Sequence, residues 1–142
     1  MSCRATLAGA SIFLLAAFAF LPRGLAAGPN DYPEWILPSC DAGLEKIASA
    51  FEEKESRFWN SNLQILNFAD VQEIAFRPWA ANVATRRFCQ AKAQISDGIW
   101  RPVFYSLVFG MGEVGATWDV QWCVVGLDRN WAHNPSCRMA QP

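Results

Sequence analysis

The sequence predicts an α+β domain: one amphipathic helix packed on a four-stranded antiparallel meander. Three observations carry that reading. A single stretch near the middle has apolar residues at helical spacing, and the chain after it is dominated by alternating, strand-like runs. Between two of those runs stands "SDG", residues 96–98, whose Asp-Gly step supplies the positive-φ geometry of a tight hairpin. Local hairpins in series make a meander, and a sheet with one apolar face needs a cover that only the helix is long enough to provide.

The first 26 residues read as an export signal. They carry a basic start at Arg4, an apolar run over 5–21, a helix-breaking Pro22, and small residues at Gly24 and Ala26 that suit cleavage after Ala26 or Ala27. The run is short of the ~20 residues of a membrane span. An uncleaved anchor is the competing reading, and the small-residue pattern argues against it. Residues 27–142 then form a single domain, long enough for one core.

The segment after the signal contains Pro29, Pro33 and Pro38, which hold it extended or turned over the surface, with Tyr32, Trp35 and Ile36 to pin it. In "DAGLEKIASAFEEKESRFW" the period changes: Leu44, Ile47, Ala48, Phe51 and Phe58 form an apolar stripe, and Glu45, Glu52, Glu53, Lys54 and Glu55 read as a solvated face. Asp41 is the expected N-cap, with Glu45 in the first turn.

A first strand is expected over 67–77, where Ile74 and Phe76 alternate with Glu73, Ala75 and Arg77 until Pro78 ends it. In "TRRFCQAKAQI" the residues Cys89, Ala91, Ala93 and Ile95 share one face, with Phe88, Gln90, Lys92 and Gln94 on the other. "WRPVFYSLVF" returns from the hairpin, and Gly110, Gly112 and Gly115 mark the next connection. "TWDVQWCVV" places Trp118, Val120, Trp122 and Val124 on one face and Asp119, Gln121 and Cys123 on the other. The element order is similar to that of cystatin-like and nuclear-transport-factor-like folds, which host inhibitors, binding modules and enzymes alike.

Loss of Cys3 with the signal leaves Cys40, Cys89, Cys123 and Cys137, which in an oxidising compartment make two disulfides. Four cysteines permit three pairings. Face assignments favour one: Cys89 lies on the helix-covered face beside small alanines and Cys40 starts the helix, whereas Cys123 points to the opposite face, where a returning tail brings Cys137. No C-x-x-C pair exists and the chain has one histidine, so neither a metal site nor any cofactor is expected.

Removing Arg4 and Arg23 takes the basic count from 12 to 10 against 13 acids, which gives no electrostatic reason to expect nucleic acid. Arg86 and Arg87 read as a solvated strand end. "VVGLDRNWAHNPSC" gathers Asp128, Arg129, His133 and Cys137, yet a nucleophilic cysteine must be free of disulfides, and a triad of Ser106, His133 and Asp119 has no nucleophile-elbow motif behind it. A structural loop is the preferred reading. Of seven tryptophans, Trp118 and Trp122 suit the core, whereas Trp79, Trp100 and Trp131 fall at strand ends or in loops. With Arg77, Arg101 and Arg129 nearby, they offer an aromatic surface for an envelope protein, a peptide or a glycan. The expected binding residues are Trp79, Trp100, Arg101, Arg129 and Trp131. A non-enzymatic exported binding or inhibitory module is therefore the leading expectation. A small exported hydrolase using the 126–137 loop and a structural envelope protein are the alternatives.

The segments "RPW", "RRFC", "SDG" and "QWCVVGLDRNWAHNPSCRMAQP" together resemble small exported alphaproteobacterial proteins of unknown function, with "WCVVGLDRN" and a following cysteine as the most distinctive part. That resemblance implies export to the periplasm and no particular chemistry. N-terminal mass spectrometry of the exported protein should find Ala27 or Gly28 as the first residue. Recovery of the full-length chain alone, embedded in membrane, would contradict the export reading.

Overall fold

The computed structural model describes residues 34–78, 84–110 and 117–142. The signal segment, Tyr32, Trp79, Gly112 and Gly115 lie outside the described residues. Helix α1 (Leu44–Trp59) is followed by strands β1 (Ile65–Arg77), β2 (Arg86–Ile95), β3 (Trp100–Phe109) and β4 (Trp118–Val124), with short 3-10 turns at Glu34–Ile36, Cys40–Gly43 and Arg138–Ala140. The sheet order is β1-β2-β3-β4 with every pair antiparallel, so the expected α+β meander is what the chain forms.

Alternation along β2 builds the floor of the core. Cys89, Ala91, Ala93 and Ile95 are buried beneath Ile47 and Phe51 of α1, alongside Val103, Tyr105 and Leu107 of β3. Small residues on β2 let the helix sit close. The same need explains Gly43: a Cβ there would stand 2.9 Å from Leu107 Cδ2 and 3.3 Å from Val120 Cγ2. Trp118, Val120, Trp122 and Val124 complete this face as their spacing predicts, with Trp122 tilted against Phe51 at 6.0 Å between ring centroids. Buried Tyr105 donates its hydroxyl to the carbonyl of Cys40 at 3.0 Å, and burial pushes its pKa up.

Residues 96–98 make the expected turn. Gly98 has φ +83°, its N–H donates to the Ile95 carbonyl, and Asp97 Oδ1 accepts the Ile99 N–H. After β4 the tail crosses the face of the sheet away from α1, where Cys137 and Ala140 pack on Cys123, Phe104 and Val125. Both expected disulfides are present: Cys40–Cys89 with Cα atoms 5.9 Å apart, and Cys123–Cys137 at 5.6 Å.

Several expectations are corrected. Asp41 does not cap α1; the Cys40–Gly43 turn leads in, and Gly43 takes the cap position without a side-chain bond. Trp35 is 81% exposed, and the N-terminal segment is held instead by Leu37, which is buried. Phe58 is 67% exposed while Glu55 is buried, because the last turns of α1 face the tail loop and its Arg129, not more apolar sheet.

Strand β1 begins at Ile65, two residues earlier than expected, and its register against β2 shifts three times. Each shift inserts an extra residue, and the bulge at Ile74 turns Glu73 to the helix side, where it pairs with Arg87. Arg87 is thereby buried and also donates to the Leu37 carbonyl, and Arg86 is half-buried against Gln121 and Ser106. The two arginines are not a solvated strand end.

The disulfides close loops of different length, with sequence separations of 49 and 14. In the chain-entropy picture, replacing Cys40 and Cys89 together by Ala should cost about 4 kcal/mol, and replacing Cys123 and Cys137 about 3 kcal/mol. Urea unfolding of the two double variants checks both values and their order.

Candidate functional site

Position 55 lies four residues after Phe51, on the stripe that α1 buries, so the fold carries a carboxylate into its interior. Glu55 is 1% exposed, and its Oε2 lies 2.9 Å from Arg129 Nη2 as an ion pair without the alignment of a hydrogen bond. Arg129 also covers the Trp59 ring, its guanidinium carbon 5.6 Å from the centroid. A buried carboxylate without a partner is costly, and Arg129 removes that cost while tying the tail loop to the helix. Lys54 makes a second tie, donating to Asn130 Oδ1 at 3.2 Å and sitting 5.2 Å above Trp122.

Much of the rest of "VVGLDRNWAHNPSC" serves the folding of the loop. Gly126 takes φ +83° in the turn off β4, Leu127 N–H donates to the Val124 carbonyl, and Trp131 N–H donates to that of Asp128. Asp128 Oδ2 accepts the His133 backbone N–H at 2.8 Å, which is how an aspartate commonly stabilises a loop. Cys137 is bonded to Cys123 and so is no thiol. An open hollow of about 440 Å³ lies along this loop, with Arg129, Trp131, Asn134 and Ser136 among its lining.

The triad drawn from sequence is not assembled. Ser106 Oγ accepts from Arg86, Asp119 pairs with Lys46 and accepts the Val120 N–H, and no hydrogen bond joins any two of Ser106, Asp119 and His133. Among the described residues no group of three or more histidine, cysteine, aspartate or glutamate side chains could hold a metal ion. No helix among them is long and apolar enough to cross a membrane.

The expected binding residues divide by what the fold does with them. Arg101 is engaged with Asp97 through two contacts, Nη1 to Oδ1 at 2.9 Å and Nη2 to Oδ2 at 2.7 Å. That bond, followed by the one from Ile99 N–H, holds the Asp97 carboxyl below the usual range. Arg129 is engaged with Glu55, as described, and Trp79 lies outside the described residues. Trp100 and Trp131 keep open surface at 43% and 71% exposure.

Other large apolar residues are exposed at the same end of the sheet. Ile99 precedes Trp100 in the hairpin, Leu66 is the extra residue of the first bulge of β1, and Phe58 ends the exposed side of α1. This end is where α1 finishes, where the β2–β3 turn lies and where the tail leaves β4: Gln64 N–H donates to Ser96 Oγ, and Gln64 Nε2 to Glu52. A groove of about 600 Å³ lies between helix and tail, lined by Ala50, Glu53, Lys54, Phe58, Trp59 and Asn130. The Trp59 indole N–H is buried and has no acceptor among the described residues. Sequence reading missed this groove. The one available signal was the spacing that puts Glu55 on the apolar stripe and so calls for a cation from the tail.

Neither a protein-family model, nor a curated protein, nor a solved structure matches the chain.

If Arg129 is a structural tie, Arg129→Ala should destabilise the fold by about 3 kcal/mol, because it leaves Glu55 buried and unpaired. The double change with Glu55→Gln should recover much of that loss. Urea midpoints of the single and double variants read the coupling.

Proposed function

We propose that this chain is an exported, non-enzymatic binding module that takes an apolar peptide segment of a partner protein at the end of the sheet carrying the β2–β3 turn. The observation behind this reading is the exposure of Phe58, Leu66, Ile99 and Trp100 at that end, with Trp131 exposed in the tail that leaves β4 there. Exposed apolar surface in quantity marks interaction sites, and tryptophan is enriched where binding energy concentrates. The groove lined by Ala50, Phe58 and Trp59 gives an apolar side chain of such a segment a place to enter. Two buried disulfides support folding in an oxidising compartment such as the periplasm. The hydrolase alternative gains no support from the 126–137 loop, where Asp128 accepts a backbone N–H, Arg129 pairs with Glu55 and Cys137 is bonded to Cys123.

Selection of a random peptide library on the purified protein tests this. Enriched peptides should share aromatic or aliphatic anchors, and Phe58→Ala and Trp131→Ala should each weaken their binding at least tenfold. The unfolding midpoints of both variants should stay close to that of the parent. Peptides that bind equally well to both variants would refute the site, and a loss of ~3–5 kcal/mol in stability, as for buried aromatic truncation, would show these rings to be core.

A further inference from the structure

We propose that Arg77 and Arg86 form a binding site for a phosphate group, on the face of the sheet away from α1 and at the opposite end from the apolar rim. The two residues are direct cross-strand partners of β1 and β2. Residues so placed project from the same face with Cβ atoms roughly 5 Å apart, and like charges in that relation destabilise a sheet. The fold nevertheless holds both in place. Arg86 Nη1 donates to Gln121 Oε1 at 2.6 Å and to Ser106 Oγ at 3.4 Å, and the Arg77 guanidinium lies 5.4 Å from the centroid of Phe88.

Their charge is uncompensated. Arg57, Arg87, Arg101 and Arg129 each pair with a carboxylate, and among the described residues Arg77 and Arg86 pair with none. Two acids lie near in register: Glu73 is turned by the Ile74 bulge to the other face and spent on Arg87, and Asp119, in line with Arg86 through Val108, pairs with Lys46. A guanidinium has five donors, of which Arg86 uses those of one nitrogen and Arg77 uses none in hydrogen bonds within the described fold. Beneath the pair, Phe88, Ser106 and Val108 are buried, so an anion there would meet less competing water than at an open surface.

The charge count selects the ligand. Two adjacent fixed cations match the ~1.5–2 negative charges of a phosphate monoester near neutral pH, with oxygens enough for both forks, whereas a carboxylate satisfies one. The shared chemistry belongs equally to free phosphate and to a monoester on a small molecule.

Calorimetric titration of the purified protein with inorganic phosphate, phenyl phosphate and acetate, at matched ionic strength in chloride, is the test. Both phosphates should bind at least tenfold more tightly than acetate, equal affinity pointing to free phosphate and tighter phenyl phosphate to a monoester. Arg77→Gln removes an exposed side chain and should weaken phosphate at least tenfold, and Arg86→Gln should do the same. Arg57→Gln, far away on α1, should change nothing. Phosphate binding no tighter than acetate, or unchanged in Arg77→Gln, would overturn the proposal. If Arg86→Gln fails to fold, Arg77→Gln decides alone.

Discussion

One helix must cover the apolar face of four strands, and most of the irregular structure follows from that constraint. A 16-residue helix is about 24 Å long, enough to cross the sheet and meet both edge strands, β1 and β4, and not enough to close the whole face. Close approach makes the most of it, which is what Ala91, Ala93 and the bare Gly43 provide. What the helix leaves uncovered is closed by segments with little regular structure of their own. Leu37 and its neighbours fill one side, and the tail after β4 covers part of the other face. Such segments form few ladder bonds, so each is fastened by side chains: Cys40–Cys89 and Arg87 for the first, Cys123–Cys137, Arg129 and Lys54 for the second.

That division explains what most of the reactive residue types gathered in the tail loop do for the fold. An acid, a base, a histidine and a cysteine close together in sequence look like chemistry, but a tail that crosses a sheet with little regular structure uses the acid, the arginine and the cysteine to hold itself. Asp128 serves a backbone N–H, Arg129 neutralises a carboxylate that the helix buries, and Cys137 forms the cross-link. The edge strand follows similar logic. β1 is long and open on one side, and three bulges interrupt the flat ladder that would otherwise invite pairing with another chain.

The regular part of the fold was legible in the sequence because period and side-chain size decide it. The alternation in β2 and β4 placed Cys89 and Cys123 on opposite faces, and both disulfides followed from that. The irregular part was not legible, because a bulge has no fixed signature in residue type: nothing in "VQEIAFR" says that Ile74 is the extra residue, yet that one insertion moves Glu73 to the helix side and changes the reading of Arg87. Glu55 is a different case. Its spacing from Phe51 was visible, but within an acidic run it reads as part of the solvated face unless its partner is known, and Arg129 comes from 74 positions away in the chain. For the candidate site, Trp100 and Trp131 could be read as exposed from their places at strand ends. Arg101 and Arg129 could not be read as engaged, since the partner of one is four residues away and that of the other is across the fold.

The two ends of the sheet differ in how their charge is settled, and this separates the two surfaces. At the end with the β2–β3 turn, Arg101 and Arg129 are matched by Asp97 and Glu55, while Phe58, Leu66, Ile99 and Trp100 are exposed. At the other end the Ile74 bulge diverts Glu73 to the inner face and leaves Arg77 and Arg86 side by side with no acid among the described residues to answer them. A bulge that neutralises one arginine therefore leaves two others without an acid among the described residues. Pairing Glu73 with Arg87 serves the core directly, because Arg87 is buried and its charge must be met there. The repulsion it leaves outside is borne at the surface, where water screens it or an anion can cancel it.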